Sequence, residues 1–186
     1  MAGRTPYEAV RSFFAPLQLS LSCVSKTVLA VSHRGYDVSD EPHWLAPKDE
    51  ELIALSGLLH LALEVMIHYR IVPASGDRGP WKVSITSYLY TLQDSDGQEI
   101  VSYHWDPRGR GRETFPHLHV GHSRGVLTRK HHLPTGRISL EEILRYAIAE
   151  LGVKTRRKNW VEILDRNQQL LEDWRAWGGW RRATGE

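Results

Sequence analysis

Apolar residues alternate with polar ones over two stretches near the middle of the chain, and there the pattern is clearest. Trp81 to Leu92 is rich in β-branched and aromatic residues, and Glu99 to Trp105 repeats the alternation after Asp94-Ser95-Asp96-Gly97. This predicts two strands joined by a hairpin turn. Alternation places Ile100, Ser102 and His104 on one face and Val101, Tyr103 and Trp105 on the other. A loop follows to about Thr114. Phe115 to Gly121 then predicts another strand, with His117 and His119 on one face and Leu118 and Val120 on the opposite one.

Elsewhere the periodicity is helical. Ser139-Leu140-Glu141-Glu142 is a capping box, with Ile138 placed to staple onto Ile143. Leu140, Ile143, Leu144, Ala147, Ile148 and Leu151 form the apolar stripe, and Gly152 suits the C-terminal cap. A last helix is expected from Trp160, capped by Asn159, to about Trp177. Thr5-Pro6-Tyr7-Glu8 predicts a short helix that Pro16 stops. Leu17 to Val31 alternates and predicts one or two strands, and residues 33–48 read as loop. Between Asp49 and Arg70, Leu52, Leu55, Leu59, Ala62, Leu63 and Met66 recur at three- and four-residue steps, which predicts a long amphipathic helix. The fold class that results is α+β, an antiparallel β-sheet packed against several helices. The whole chain, 1–186, reads as one domain with a site region at 103–137 and a C-terminal helical extension at 154–178.

Bulk properties narrow the classes. A chain of 186 residues with 41% hydrophobic content can bury a core. The net charge of +2 gives no global field for nucleic acid. Cys23 is the only cysteine, so neither an intramolecular disulfide nor a cysteine-rich zinc site is open to it, and its apolar surroundings predict a buried thiol. No signal-peptide h-region and no 18-residue apolar stretch is present, so a cytoplasmic protein with no membrane partner is expected.

Chemistry concentrates in one segment. Six of the ten histidines lie between His104 and His132, interleaved with Arg108, Arg110, Arg112, Arg124, Arg129 and Lys130. Imidazole exchanges protons near neutral pH, and guanidinium suits phosphate. His117 and His119 leave the same strand face about 6.6 Å apart, and pairing of the flanking strands would bring His104 beside them. The first expectation is metal-independent cleavage of RNA. One histidine of the set His104, His117 and His119 acts as base and another as acid, Arg112 stabilises phosphoryl charge, and Asp106 orients His104. Arg108, Arg110, Arg124, Arg129 and Lys130 would hold the nucleic acid. No cofactor is required. A non-enzymatic module binding nucleic acid or an acidic partner is the alternative. A metal-dependent hydrolase using His117, His119 and His104 or His122, with Asp106 as a further ligand candidate, is third. The backbone N–H groups entering the helix at Ser139 are a minor anion candidate.

Three elements, taken in order, resemble the TumE family of bacterial toxin–antitoxin toxins. They are Tyr103-His104-Trp105-Asp106, Phe115-Pro116-His117-Leu118-His119, and Ser139-Leu140-Glu141-Glu142-Ile143-Leu144. The similarity covers roughly residues 81–152. It implies a cytoplasmic toxin neutralised by a DNA-binding antitoxin, which would be its protein partner. The ribonuclease expectation comes from the histidines and arginines.

Overall fold

The computed structural model describes residues 2–49, 51–75, 78–109, 113–121 and 131–177, with the backbone alone for 175–177. In order they form β1 (Ala2–Gly3), α1 (Pro6–Leu21), β2 (Leu29–Val31), β3 (His43–Pro47), β4 (Ile53–Ala54), β5 (Ala62–Pro73), β6 (Trp81–Gln93), β7 (Glu99–Trp105), β8 (His117–Val120), β9 (Leu133–Pro134), α2 (Leu140–Ala149) and α3 (Trp160–Trp177). The strands make one antiparallel sheet in the order β2-β3-β5-β6-β7-β8-β9, with β1 added on β6 and β4 on β5. The helices pack on one face. The architecture is α+β, as the sequence pattern implies.

Three stretches differ from the pattern. The stretch 49–70 is not a helix. It supplies β4 and most of β5, in which Leu63, Val65, Ile67, Tyr69 and Ile71 are buried at every second position. Of the helical stripe only Leu63 belongs to this buried series, and Ala62 and Met66 fall on the other face. The alternation wins because it continues through β-branched and aromatic residues to Ile71, and β6 pairs with it from Ala62 to Pro73. Leu58 and Leu59, the latter counted in the helical stripe, stay exposed.

The second difference is at α1, which runs through Pro16 to Leu21, so residues 17–21 are helical and not strand. A proline inside a helix costs ~3 kcal/mol. Val10, Phe13, Leu17 and Leu21 bury one helical stripe completely or nearly so, each worth ~1.5–3 kcal/mol, and together they outweigh the proline. Thr5 Oγ1 accepts from Glu8 N at 3.1 Å, while the Glu8 carboxylate accepts from Arg4 N at 2.7 Å. Residues 33–48, expected as loop, contain β3. Cys23 is buried, and burial pushes its thiol pKa up despite the lowering influence of Arg157.

The sheet face under the helices carries Leu63, Val65, Ile67, Leu92, Tyr90, Tyr88, Tyr103 and Trp105. Phe13 of α1 meets Tyr69 with ring centroids 5.7 Å apart. α3 is not an appendage to this core, since Leu164, Leu171 and Trp174 are buried in it. A buried polar tie joins the three helices. Ser20 Oγ donates to Glu141 Oε1 at 2.8 Å, and Asn167 Nδ2 donates to both Ser20 Oγ and the Pro16 carbonyl at 2.9 Å. At α2 the capping box is present as expected, Ser139 N to Glu142 Oε2 at 2.7 Å and Glu142 N to Ser139 Oγ at 3.2 Å. Glu142 therefore occupies the helix N-terminus considered as an anion site. Gly152 adopts the left-handed conformation expected of it, φ 68°.

Candidate functional site

The opposite face of the sheet is polar around its β7–β8 end. β7 and β8 pair antiparallel with His104 opposite His117 and Ser102 opposite His119. Residues paired directly across two strands project from the same face, so all three histidines share it. The next row out continues with Leu89 and Thr91 of β6, opposite His104 and Ser102. Thr91 and Ser102 are buried and hydrogen-bonded to each other at 3.1 Å, giving the histidines a polar floor.

Gly121 sets the pairing at the end of β8. Its N–H donates to the Ile100 carbonyl at 3.0 Å, and a Cβ there would lie 1.5 Å from the Glu99 carbonyl oxygen. Only glycine lets the two strands come this close.

The rings are crowded. His117 lies 5.1 Å from His104 and 4.9 Å from His119 between centroids. One ligand nitrogen from each of the three falls within 4.8 Å of the others. His117 is buried, whereas His104 and His119 are half-buried and reach the surface depression that Leu89, Glu99 and Ser102 also line. The His117 ring pairs through Nδ1 with the Phe115 carbonyl at 2.9 Å. A carbonyl only accepts, so Nδ1 carries a proton, and in a neutral ring Nε2 is the nitrogen with the free lone pair.

The electrostatics favour neutral imidazole at His104. Burial pushes its pKa below the ordinary value, and His117, His119 and His132 push the same way. Asp106 alone opposes them.

His132 is the residue the sequence reading did not place in the site. It precedes β9, whose Leu133 pairs with Leu118, and this sets its ring 4.8 Å from His117 and 4.6 Å from His119. Its Nδ1 meets Glu113 Oε1 at 2.9 Å. Desolvation would raise the Glu113 carboxyl, but the His132 hydrogen bond, a backbone hydrogen bond and the charges of His132 and His117 hold it below its usual range. The signal for His132 lay in its position beside a strand, but only the β8–β9 pairing makes it a neighbour.

Asp106 does not orient His104 through a hydrogen bond. Its Oδ1 accepts from Arg108 N at 3.2 Å and closes the turn after β7, so it acts on His104 through charge alone. Arg108 is exposed on that turn. Arg110, Arg112, His122, Arg124, Arg129 and Lys130 lie outside the described residues. Phe115 is exposed, with its ring 5.8 Å from His117. Trp105, by contrast, is buried on the helix face, where the Arg137 guanidinium stacks 3.5 Å from its ring centroid.

Chemically, three convergent imidazoles with one fixed tautomer can hold a divalent ion, and a fourth imidazole backed by a carboxylate can carry a proton beside it. No family model, no curated protein and no solved structure matches this chain. No helix among the described residues is long and apolar enough to cross a membrane.

Proposed function

We propose that this protein is a phosphate-ester hydrolase built around a divalent ion of the zinc class, held by His104, His117 and His119. The observation that carries the reading is the convergence of their ring nitrogens within 4.8 Å from two adjacent strands. In an ideal tetrahedral zinc site, ligand nitrogens lie ~3.3 Å apart, given Zn–N bonds of about 2.05 Å. The rings therefore close by at most about 1.5 Å, a movement that small side-chain rotations supply. Three imidazoles leave one coordination position for water or substrate, as catalytic zinc sites do and structural ones do not. The ion would supply Lewis acidity toward a phosphoryl oxygen.

The protein groups do the rest. The Phe115 carbonyl fixes the His117 tautomer. His132, paired with Glu113, stands where it can pass a proton at the edge of the cluster. Arg108 brings positive charge to the adjoining turn, and Phe115 offers a ring on which an unpaired base could stack. RNA is therefore the first substrate to test, and the TumE resemblance adds only a protein partner to look for, a neutralising antitoxin.

Purified wild type is titrated with zinc and with cobalt by calorimetry after chelator treatment and dialysis. One ion per chain is expected, with affinity lowered at least tenfold in each of His104→Ala, His117→Ala and His119→Ala, and RNA cleavage lost in chelator. A wild-type protein that binds neither ion overturns the metal centre.

A second reading keeps the same residues without metal. His132, paired with Glu113 and beside His117 and His119, and His104, which is held toward its neutral form, are two imidazoles in unlike surroundings, as general acid–base cleavage of RNA needs. RNA cleavage that continues in chelator, and falls in His119→Ala, selects it. Binding of RNA with no cleavage under either condition leaves the non-enzymatic module.

A further inference from the structure

The loop after α1 and the segment before α3 enclose a basic depression, far from the histidines and independent of what they do. Gln18 Oε1 accepts from Leu29 N at 2.7 Å, which sets this end of α1 beside β2. In the sheet order β2 lies five strand spacings from β8, or about 24 Å at ~4.8 Å each. The depression has a volume of about 360 Å³ and is lined by Lys26, Arg156 and Arg157 with Gln18, Ser22 and Ser25. Small-molecule sites span ~300–1,000 Å³. No Asp or Glu lines this one among the described residues.

Three observations separate it from an ordinary solvated charge run. First, no ion pair reaches Lys26, Arg156 or Arg157 among the described residues. Asp49 lines the adjoining depression, which shares Lys26, without pairing with it. Second, the walls are fixed. Arg156 N donates to the Cys23 carbonyl at 2.7 Å and Lys154 N to the Ser56 carbonyl at 2.6 Å. Arg157 Nε donates to Ser22 Oγ at 2.7 Å, which orients the guanidinium and leaves its terminal nitrogens for an anion. Third, the end of α1 does not need these cations as caps. The Gln18, Ser20 and Leu21 carbonyls accept from backbone N–H groups of residues 22–25, and the Leu19 carbonyl accepts from Ser22 Oγ. The dipole at a helix C-terminus amounts to roughly half a negative charge, so three cations leave an excess of about two and a half positive charges.

That excess matches a dianion. A phosphomonoester carries about −1.5 to −2 at neutral pH, whereas a phosphodiester carries one charge per phosphate. We propose that this depression binds a terminal phosphate group, with Arg157 and Arg156 on one side of it and Lys26 on the other. The shared chemistry is the monoester, borne either by a small phosphorylated compound or by a nucleic-acid end.

The test uses the full chain in chelator at neutral pH and physiological ionic strength, with glycerol 3-phosphate, dimethyl phosphate and glycerol as probes for calorimetry. Saturable binding of one glycerol 3-phosphate per chain is expected, with dimethyl phosphate at least tenfold weaker and glycerol silent. Lys26, Arg156 and Arg157 are exposed, so their glutamine variants should fold, and thermal melts establish it. Each single change should weaken glycerol 3-phosphate at least threefold, and Arg156→Gln with Arg157→Gln at least tenfold. Single-stranded DNA oligomers, which lack the 2′-hydroxyl, separate the two sources. A 5′-phosphorylated oligomer that binds at least fivefold tighter than its 5′-hydroxyl twin assigns the group to a nucleic-acid end. Equal binding of the twins, with glycerol 3-phosphate retained, assigns it to a small compound. Absence of saturable glycerol 3-phosphate binding by wild type overturns the proposal. So does dimethyl phosphate binding as tightly as the monoester, or unchanged affinity in the folded double variant.

Discussion

Replacing Ser20 with alanine tests whether the buried polar tie organises the helix layer. The hydroxyl donates to Glu141 Oε1 at 2.8 Å and accepts from Asn167 Nδ2 at 2.9 Å, and all three side chains are almost wholly buried. Each lost hydrogen bond is worth ~1 kcal/mol net, and more if the partner is charged. Leaving Glu141 without this donor adds desolvation cost, whereas Asn167 keeps the Pro16 carbonyl as an acceptor. Alanine returns a few tenths of a kcal/mol in helix propensity. The sum is a loss of ~2–4 kcal/mol. At about 2–4 °C per kcal/mol for a chain of this size, Tm falls by ~5–15 °C. Urea denaturation followed by circular dichroism should show a lower midpoint at an unchanged slope. Combining Ser20→Ala with Asn167→Ala should give less than the sum of the two, because the pair shares one bond. A loss below about 0.5 kcal/mol, or strict additivity, would refute the tie as an energetic unit.

Gly121→Ala alters no histidine, yet its Cβ would collide with the Glu99 carbonyl oxygen. It should separate β8 from β7 and lower the zinc affinity of the histidine cluster at least tenfold in a protein that retains its far-ultraviolet circular dichroism. Unaltered affinity would show that the cluster does not depend on this pairing. Alkaline stability should fall from about pH 9–10 upward. Burial raises the Cys23 thiol and, with Tyr36, the Tyr69 phenol, whose hydroxyl donates to the Gly35 carbonyl at 2.7 Å. The unfolded chain ionises first, so stability is full below the unfolded values and is lost as pH rises through the folded ones. Tyr69→Phe should flatten the decline between pH 9 and 11 in urea midpoints, and an equally steep decline in that variant would show that Tyr69 is not its source.

The sequence disclosed most where neighbours along the chain decide the outcome. The hairpin from Trp81 to Trp105, the shared face of His117 and His119, and the box at Ser139 follow from local alternation and turn or cap chemistry. It misled from Leu52 to Met66, where apolar residues at helical steps run into a strand that buries the odd-numbered positions. There the choice belongs to β6, which pairs along the whole of β5 and whose partners for Ala62 to Met66 lie 23 or more residues further along the chain. Pro16 misled for a related reason, since its cost is local and the burial that overrides it is tertiary. His104 could be expected beside His117 once the two strands pair. His132 and Glu113 could not, because their approach depends on a two-residue strand, β9, too short to carry a periodic signal.

The two faces of β7 and β8 are written on alternate residues of the same short strands. Moving β7 by one residue against its neighbours would turn Tyr103 and Trp105 toward solvent and drive His104 beneath the helices. The aromatic packing under α1 and α3 thus acts as a proofreader for the imidazoles on the far side. A misaligned sheet would forfeit its core before it could present a wrong arrangement of histidines. Substitutions that repack the helix side will therefore shift the cluster by fractions of an ångström or dismantle it, with no stable intermediate geometry between the two.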